Sequence, residues 1–208
     1  SDTSDTLARD AIVLPWWIPS SNADRLRTFL EYKGPDTRVA LSKIPASATW
    51  GTSNNMRYLS LQGHPIQVWV VGVLDSMSFF ASTADNNPGT AIAISLLRDT
   101  DRDALTALKK KSKPPPPITR YLTCLQLFPH VYDATVAYTD KLYMKRLPTS
   151  ALVAGDVVLV ELAVVRCDVG PKKPRSVRAD WKVDFELQSI ARLVARPVVK
   201  EERVSSNF

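Results

Sequence analysis

Five cationic side chains, Arg166, Lys172, Lys173, Arg175 and Arg178, are set among only two carboxylates, Asp168 and Asp180, leaving a local charge of +3. Guanidinium and ammonium groups at this density are suited to displacing the counterions that screen a polyphosphate backbone. Trp181 follows directly, and a flat ring beside such cations gives a nucleobase something to stack on. Tyr121, Tyr138 and Tyr143 can extend that platform if the fold brings them to the same face. The plainer reading is a solvated loop that keeps the chain soluble. A second run, Lys109, Lys110, Lys111 and Lys113, has its own plain reading, because cations suit the C-terminal end of a helix.

Patterns that catalysis needs do not assemble. Asp99-Thr-Asp-Arg-Asp103 opens like a calcium loop, but Ala104 stands where the turn glycine belongs and Lys110 where a bidentate acid would close the site. The same acids follow an apolar strand, as in phosphotransferases of the haloacid dehalogenase type, yet no second acidic or glycine-rich motif accompanies them. Acids in the first turn of a helix account for them better. No phosphate-cradling glycine loop or nucleophile elbow occurs. His64 and His130 each adjoin a proline and read as surface imidazoles. Cys124 and Cys167 form no CxxC or Cys/His cluster, which points to two buried thiols. The sequence therefore predicts a protein that is not an enzyme, with no cofactor and no metal; a site dispersed along the chain would leave no motif.

The positioning elements come from a chain of ordinary globular composition. Its 208 residues, 45% hydrophobic and 23% charged, suit one good-sized domain with a real core. A net charge of +6 favours polyanion partners. Fifteen prolines against seven glycines suggest many turns rather than a helical bundle. Residues 11–19 are apolar and contain Trp16 and Trp17, but Pro15 and Pro19 interrupt them and they are too short to span a membrane. They also lack the flanks of a signal peptide. They read as an arm packed on the domain's own surface, or as a peptide that docks on a partner protein or a second copy. The organisation expected is an arm over 1–20, a single β-rich domain over 21–197 and a tail over 198–208. The expected setting is a reducing compartment, nuclear or cytoplasmic, without membrane contact.

Leu26, Phe29 and Leu30 share one helical face after a capping Ser21 or Asn22, and Gly34-Pro35 stops that helix. Ile66–Leu74 is a nearly continuous β-branched run, so both its faces are buried, and Gly72 marks a bulge or a close backbone approach. Asp85–Gly89 is a turn, Ala91–Leu97 a strand, and Asp99–Lys111 a helix with acids first and lysines last. Pro114–Pro117 form a stiff spacer. Tyr121–Phe128 reads as a strand, and Thr135–Tyr138 as a weak strand or exposed turn. Val157–Val165 is a strongly apolar strand broken by Glu161. In Trp181–Gln188, Trp181, Val183, Phe185 and Leu187 alternate with polar residues, the period of a strand with one wet face. A connection of about fourteen residues, longer than a tight hairpin needs, joins these last two strands.

Three features resemble an OB-fold: the glycine-bent strand Ile66-Gln-Val-Trp-Val-Val-Gly-Val-Leu74, the turn Leu152-Val-Ala-Gly-Asp-Val-Val158, and the paired final strands. The resemblance covers about 56–195. It implies a mainly β chain, an OB-like barrel with one or two short helices, in which the basic segment is the loop that grips single strands. The fold alternative is an antiparallel β-sandwich. On the first reading the chain is a non-catalytic single-stranded nucleic-acid-binding protein, or a subunit of a complex that processes nucleic acid. On the second it is a coat- or scaffold-like assembly protein using Trp16 and Trp17.

Overall fold

The computed structural model describes residues 8–35, 37–81, 88–112, 121–126, 130–168 and 181–197. Its elements in chain order are α1 (Asn22–Leu30), β1 (Arg38–Ala40), β2 (Thr49–Trp50), β3 (Leu59–Leu61), β4 (His64–Pro65), β5 (Gln67–Ala81), β6 (Pro88–Leu96), α2 (Asp99–Lys109), β7 (Tyr121–Gln126), β8 (His130–Asp133), β9 (Lys145–Leu147), β10 (Val157–Asp168) and β11 (Trp181–Val194). The main sheet runs β7-β6-β5-β10-β11-β8-β9, with β1 added to β5, and β2-β3-β4 form a small second sheet.

β5 organises the main sheet. One of its edges pairs with β10 from Gln67 to Val73, while the other takes β1 in parallel at Gln67–Trp69 and then β6 from Gly72 onward. The anticipated close approach at Gly72 is real, since a Cβ there would lie 2.5 Å from the Ser95 carbonyl oxygen. The register shift itself falls slightly later, between Leu74 and Ser76. The sheet curls until Cα atoms of β7 come within 8 Å of β11. Both strands run in the direction of β5, so the circuit β5-β6-β7-β11-β10 is a half-closed, five-stranded OB-like barrel. Parallel pairs, β1 with β5 and β8 with β11, set aside the antiparallel sandwich.

Both faces of this sheet are buried, which explains the unbroken apolar runs. Inside lie Val68, Val70, Leu74, Val160, Leu162, Val164, Phe185 and Leu187, joined by Leu105 and Leu108 from α2. Outside, Trp69, Val71, Leu159 and Leu193 are covered by Leu26, Phe29 and Leu30 of α1 and by Ile18 of the arm. Each such side chain contributes about 1.5–3 kcal/mol by leaving water.

Several local expectations shift. Ser21 sits before α1 without a capping side-chain bond, and the helix ends at Leu30, short of Gly34. The turn at 62–63 uses Gln62 and Gly63, both at positive φ (52° and 83°), as a two-residue hairpin demands. Of the two readings of 135–138 the strand fails, since residues 135–136 form a bend and the strand lies just before them, at β8. The Pro114–Pro117 spacer and most of the 85–89 turn lie outside the described residues.

The three acids of α2 have structural partners: Asp99 pairs with Arg102, Asp103 with Arg9 and Asp101 with Arg98. Arg98 is 1% exposed, and its guanidinium donates to both Asp101 oxygens (2.8 and 3.1 Å), the Leu30 carbonyl (2.8 Å) and the Ser42 hydroxyl (2.9 Å). It thereby ties the start of α2 to the end of α1. Replacing Asp101 by Asn strands a buried charge, so unfolding in urea should show a loss of about 3 kcal/mol, near the low end for a broken buried pair. A loss below about 1 kcal/mol would mean that Glu31, 3.5 Å from Arg98, carries the pairing instead.

Candidate nucleic-acid interface

The last two strands pair from Val157 opposite Val194 to Asp168 opposite Trp181, with shifts near Val157 and after Glu161. Along the hairpin Leu162 faces Leu187 and Val164 faces Phe185, all directed into the barrel core. Strand alternation carries the same face on to Arg166, opposite Val183, and then to Trp181. Both residues therefore emerge on the inner face just beyond the core, and both are half-buried.

A third residue completes this face. Trp50 of β2 is the Cα partner of buried Leu59, so it too points inward. Its ring meets Trp181 edge to face, with centroids 5.3 Å apart and planes at 82°. The Arg166 guanidinium carbon lies 5.7 Å from the Trp50 ring centroid. Position is fixed through the backbone: Arg166 N–H donates to the Arg57 carbonyl at 2.8 Å, and Tyr58 bridges to Val165, so residues 57–58 continue β10's edge past Ala163, opposite which β5 begins. Among the described residues Arg166 has no carboxylate partner.

The outer face of the same hairpin is different. Lys182 is paired with Asp184 at 2.8 Å, and that bond raises the lysine's pKa. Burial, then the charge of Glu186 and a hydrogen bond to it, push the Tyr58 phenol up. Burial and Asp184 push the Cys167 thiol up, which leaves it protonated near neutrality and a poor nucleophile. Cations on this side are matched by acids, whereas the inner side presents two indoles and an arginine that has no carboxylate partner among the described residues.

Of the expected site, Arg166 and Trp181 are brought together. Lys172, Lys173, Arg175 and Arg178 lie outside the described residues, between the ends of β10 and β11. Tyr138 sits elsewhere, against Phe29 and Trp69 on the outer face of the sheet, and Tyr143 is exposed on the loop before β9. The side chain of Tyr121 lies outside what is described. Sequence reasoning passed over Trp50 and Arg57, which stand in a polar stretch that reads as loose; an isolated tryptophan there was the available signal. Of the arm, Val13 N–H donates to the Leu97 carbonyl (2.9 Å), Ile18 is buried and Trp17 half-buried, while Trp16 is 94% exposed. His64 and His130 are exposed on separate strands.

The chain matches no family model and no curated protein. Solved structures that resemble it include two bacteriophage proteins. The single-stranded DNA-binding protein gp2.5 encoded by bacteriophage T7 aligns at 11% identity and a TM-score of 0.40, over 69% of this chain and 97% of that one. The single-stranded DNA-binding protein of bacteriophage Enc34 aligns at 8% identity and a TM-score of 0.33, over 65% of this chain and 86% of that one.

The edge-to-face contact of Trp50 with Trp181 should register as a coupling. In a double-mutant cycle of Trp50→Leu and Trp181→Leu, unfolding free energies should show about 0.5–1.5 kcal/mol of interaction. Strict additivity would show that the two rings do not form one platform in solution.

Proposed function

We propose that this protein binds single-stranded nucleic acid without catalysing a reaction on it, along the inner face at the base of the β10–β11 hairpin. The observation that carries the reading is the shared face of Trp50, Trp181 and Arg166, two stacking surfaces and a cation at the mouth of a half-closed barrel. Bases stack on the indoles whatever their identity, because every base presents a π-face. On this reading Lys172, Lys173, Arg175 and Arg178, in the segment of sequence that joins the two strands, add phosphate contacts.

Fluorescence anisotropy with labelled oligothymidylate and oligouridylate at several salt concentrations tests this. Changing all four of these cations to Ala should lower the slope of log K against log salt by about 3, at about 0.7 per single-strand phosphate contact. Trp181→Ala should cost about 1–3 kcal/mol with the slope nearly unchanged. Equal affinity and equal slope in the quadruple variant would sink the proposal.

A second reading, assembly through the arm, is favoured by one observation, the outward ring of Trp16 beside anchored neighbours. Light scattering after size exclusion decides it: a defined oligomer that Trp16→Ser dissociates supports assembly, and a monomer in both forms removes it.

A further inference from the structure

On the opposite, outer face of the sheet, away from the end of the hairpin, lies a cleft of about 460 Å³. Its floor is Trp69, stacked on Tyr32 with centroids 4.2 Å apart and planes at 26°, and touched by the edge of Tyr138 at 5.2 Å. Beneath it is Glu161, 2% exposed, the one acid in the apolar run of β10. The Trp69 indole N–H donates to Glu161 Oε2 at 3.0 Å, the Lys141 ammonium donates to Oε1, and Arg38 Nε stands 3.6 Å from Oε2.

One carboxylate thus meets two cations. Arg38 reaches Glu161 and Gln67 through Nε, and its guanidinium carbon lies 5.5 Å from the Trp69 ring centroid; among the described residues its Nη1 and Nη2 make no hydrogen bond. Both cationic side chains are about one-third exposed, at 34% and 33%. The other rim carboxylate, Asp140, is turned onto its own loop, where it accepts from the Leu142 N–H at 2.9 Å. Tyr138 is half-buried, and burial followed by the charge of Glu161 pushes its phenol up to about 12. It therefore stays a neutral donor and does not repel an anion.

A guanidinium whose two Nη groups make no hydrogen bond among the described residues matches two oxygens of a phosphate, aromatic walls take a flat ring, and the volume falls within the range of small-molecule sites. We propose that this cleft binds a nucleoside monophosphate unit, its base against Tyr138 and Tyr32 and its phosphate on Arg38 and Lys141. The unit is either a free nucleotide or the phosphorylated end of a strand, since both present the same ring and the same anion.

The test is a titration of the ¹⁵N-labelled full chain with adenosine 5′-monophosphate, with adenosine and inorganic phosphate as separate arms. The monophosphate should shift the Trp69 indole N–H resonance saturably and leave those of Trp50 and Trp181 in place. Adenosine or phosphate alone should need concentrations about tenfold higher or more, because each forfeits one half of the recognition. Arg38→Met and Lys141→Met should each weaken binding about tenfold or more, the usual cost of a charge-assisted bond, whereas Trp181→Ala should leave it unchanged. A 5′-phosphorylated oligonucleotide that moves Trp69, where its unphosphorylated twin does not, identifies the strand end as the source; response to the free nucleotide alone identifies that instead. A Trp69 resonance unmoved by every phosphate-bearing probe, or full affinity in a folded Arg38→Met chain, overturns the proposal. Should that variant fail to fold, the wild-type Trp69 resonance still decides it.

Discussion

The absence of a side chain at Gly72 is the condition on which the barrel rests. At that residue β5 pairs with Val158 on one edge and with Leu96 on the other, after β1 has left the second edge. A methyl group would strike a backbone carbonyl 2.5 Å away, which no rotamer change can relieve. The close crossing lets one strand serve β10 with its first half and β6 with its second, so the sheet must curl and not extend flat. The shared interior of β5, β6, β10, β11 and α2 follows from that bend.

Because the sheet is covered on both faces, little of its central surface is available to a ligand. Chemistry is displaced to two places where cover runs out. One is the end of the hairpin, where inward-facing positions pass beyond the core and become Arg166 and Trp181. The other is the gap beside α1, where Tyr138 and Lys141 arch over Trp69 without sealing it. A charge as deeply placed as Glu161 is costly unless its oxygens are satisfied, and here an indole and two cations do so. Arg98 plays the mirrored part for the helices, a buried cation held by an acid, a carbonyl and a hydroxyl.

How much of this was legible in the sequence depended on range. The final hairpin was readable because Trp181, Val183, Phe185 and Leu187 alternate within one short segment and the run from Val157 leaves no polar gap but Glu161. The two-faced burial of Ile66–Leu74 and the close approach at Gly72 were readable for the same local reason. Trp50 was not, because its role needs β2 paired with β3 and also β3's lead-in paired with β10, a contact between residues more than a hundred apart in the chain. Glu161 stood out as an oddity, but Trp69, Arg38 and Lys141 reach it from three other elements, and no spacing encodes that meeting. The paired acids of α2 show the reverse case. A helix-terminus reading anticipated their place, and the fold added the individual arginines.

The sheet's two ends are guarded differently. β9 is three residues long, and its Lys145 and Arg146 are exposed, while β7 is folded round toward β11. Unprotected strand borders are where β-rich proteins zip together into fibrils. With one border brief and doubly positive and the other tucked inward, neighbouring copies repel at the very rim where backbones would otherwise stitch them into a continuous ribbon.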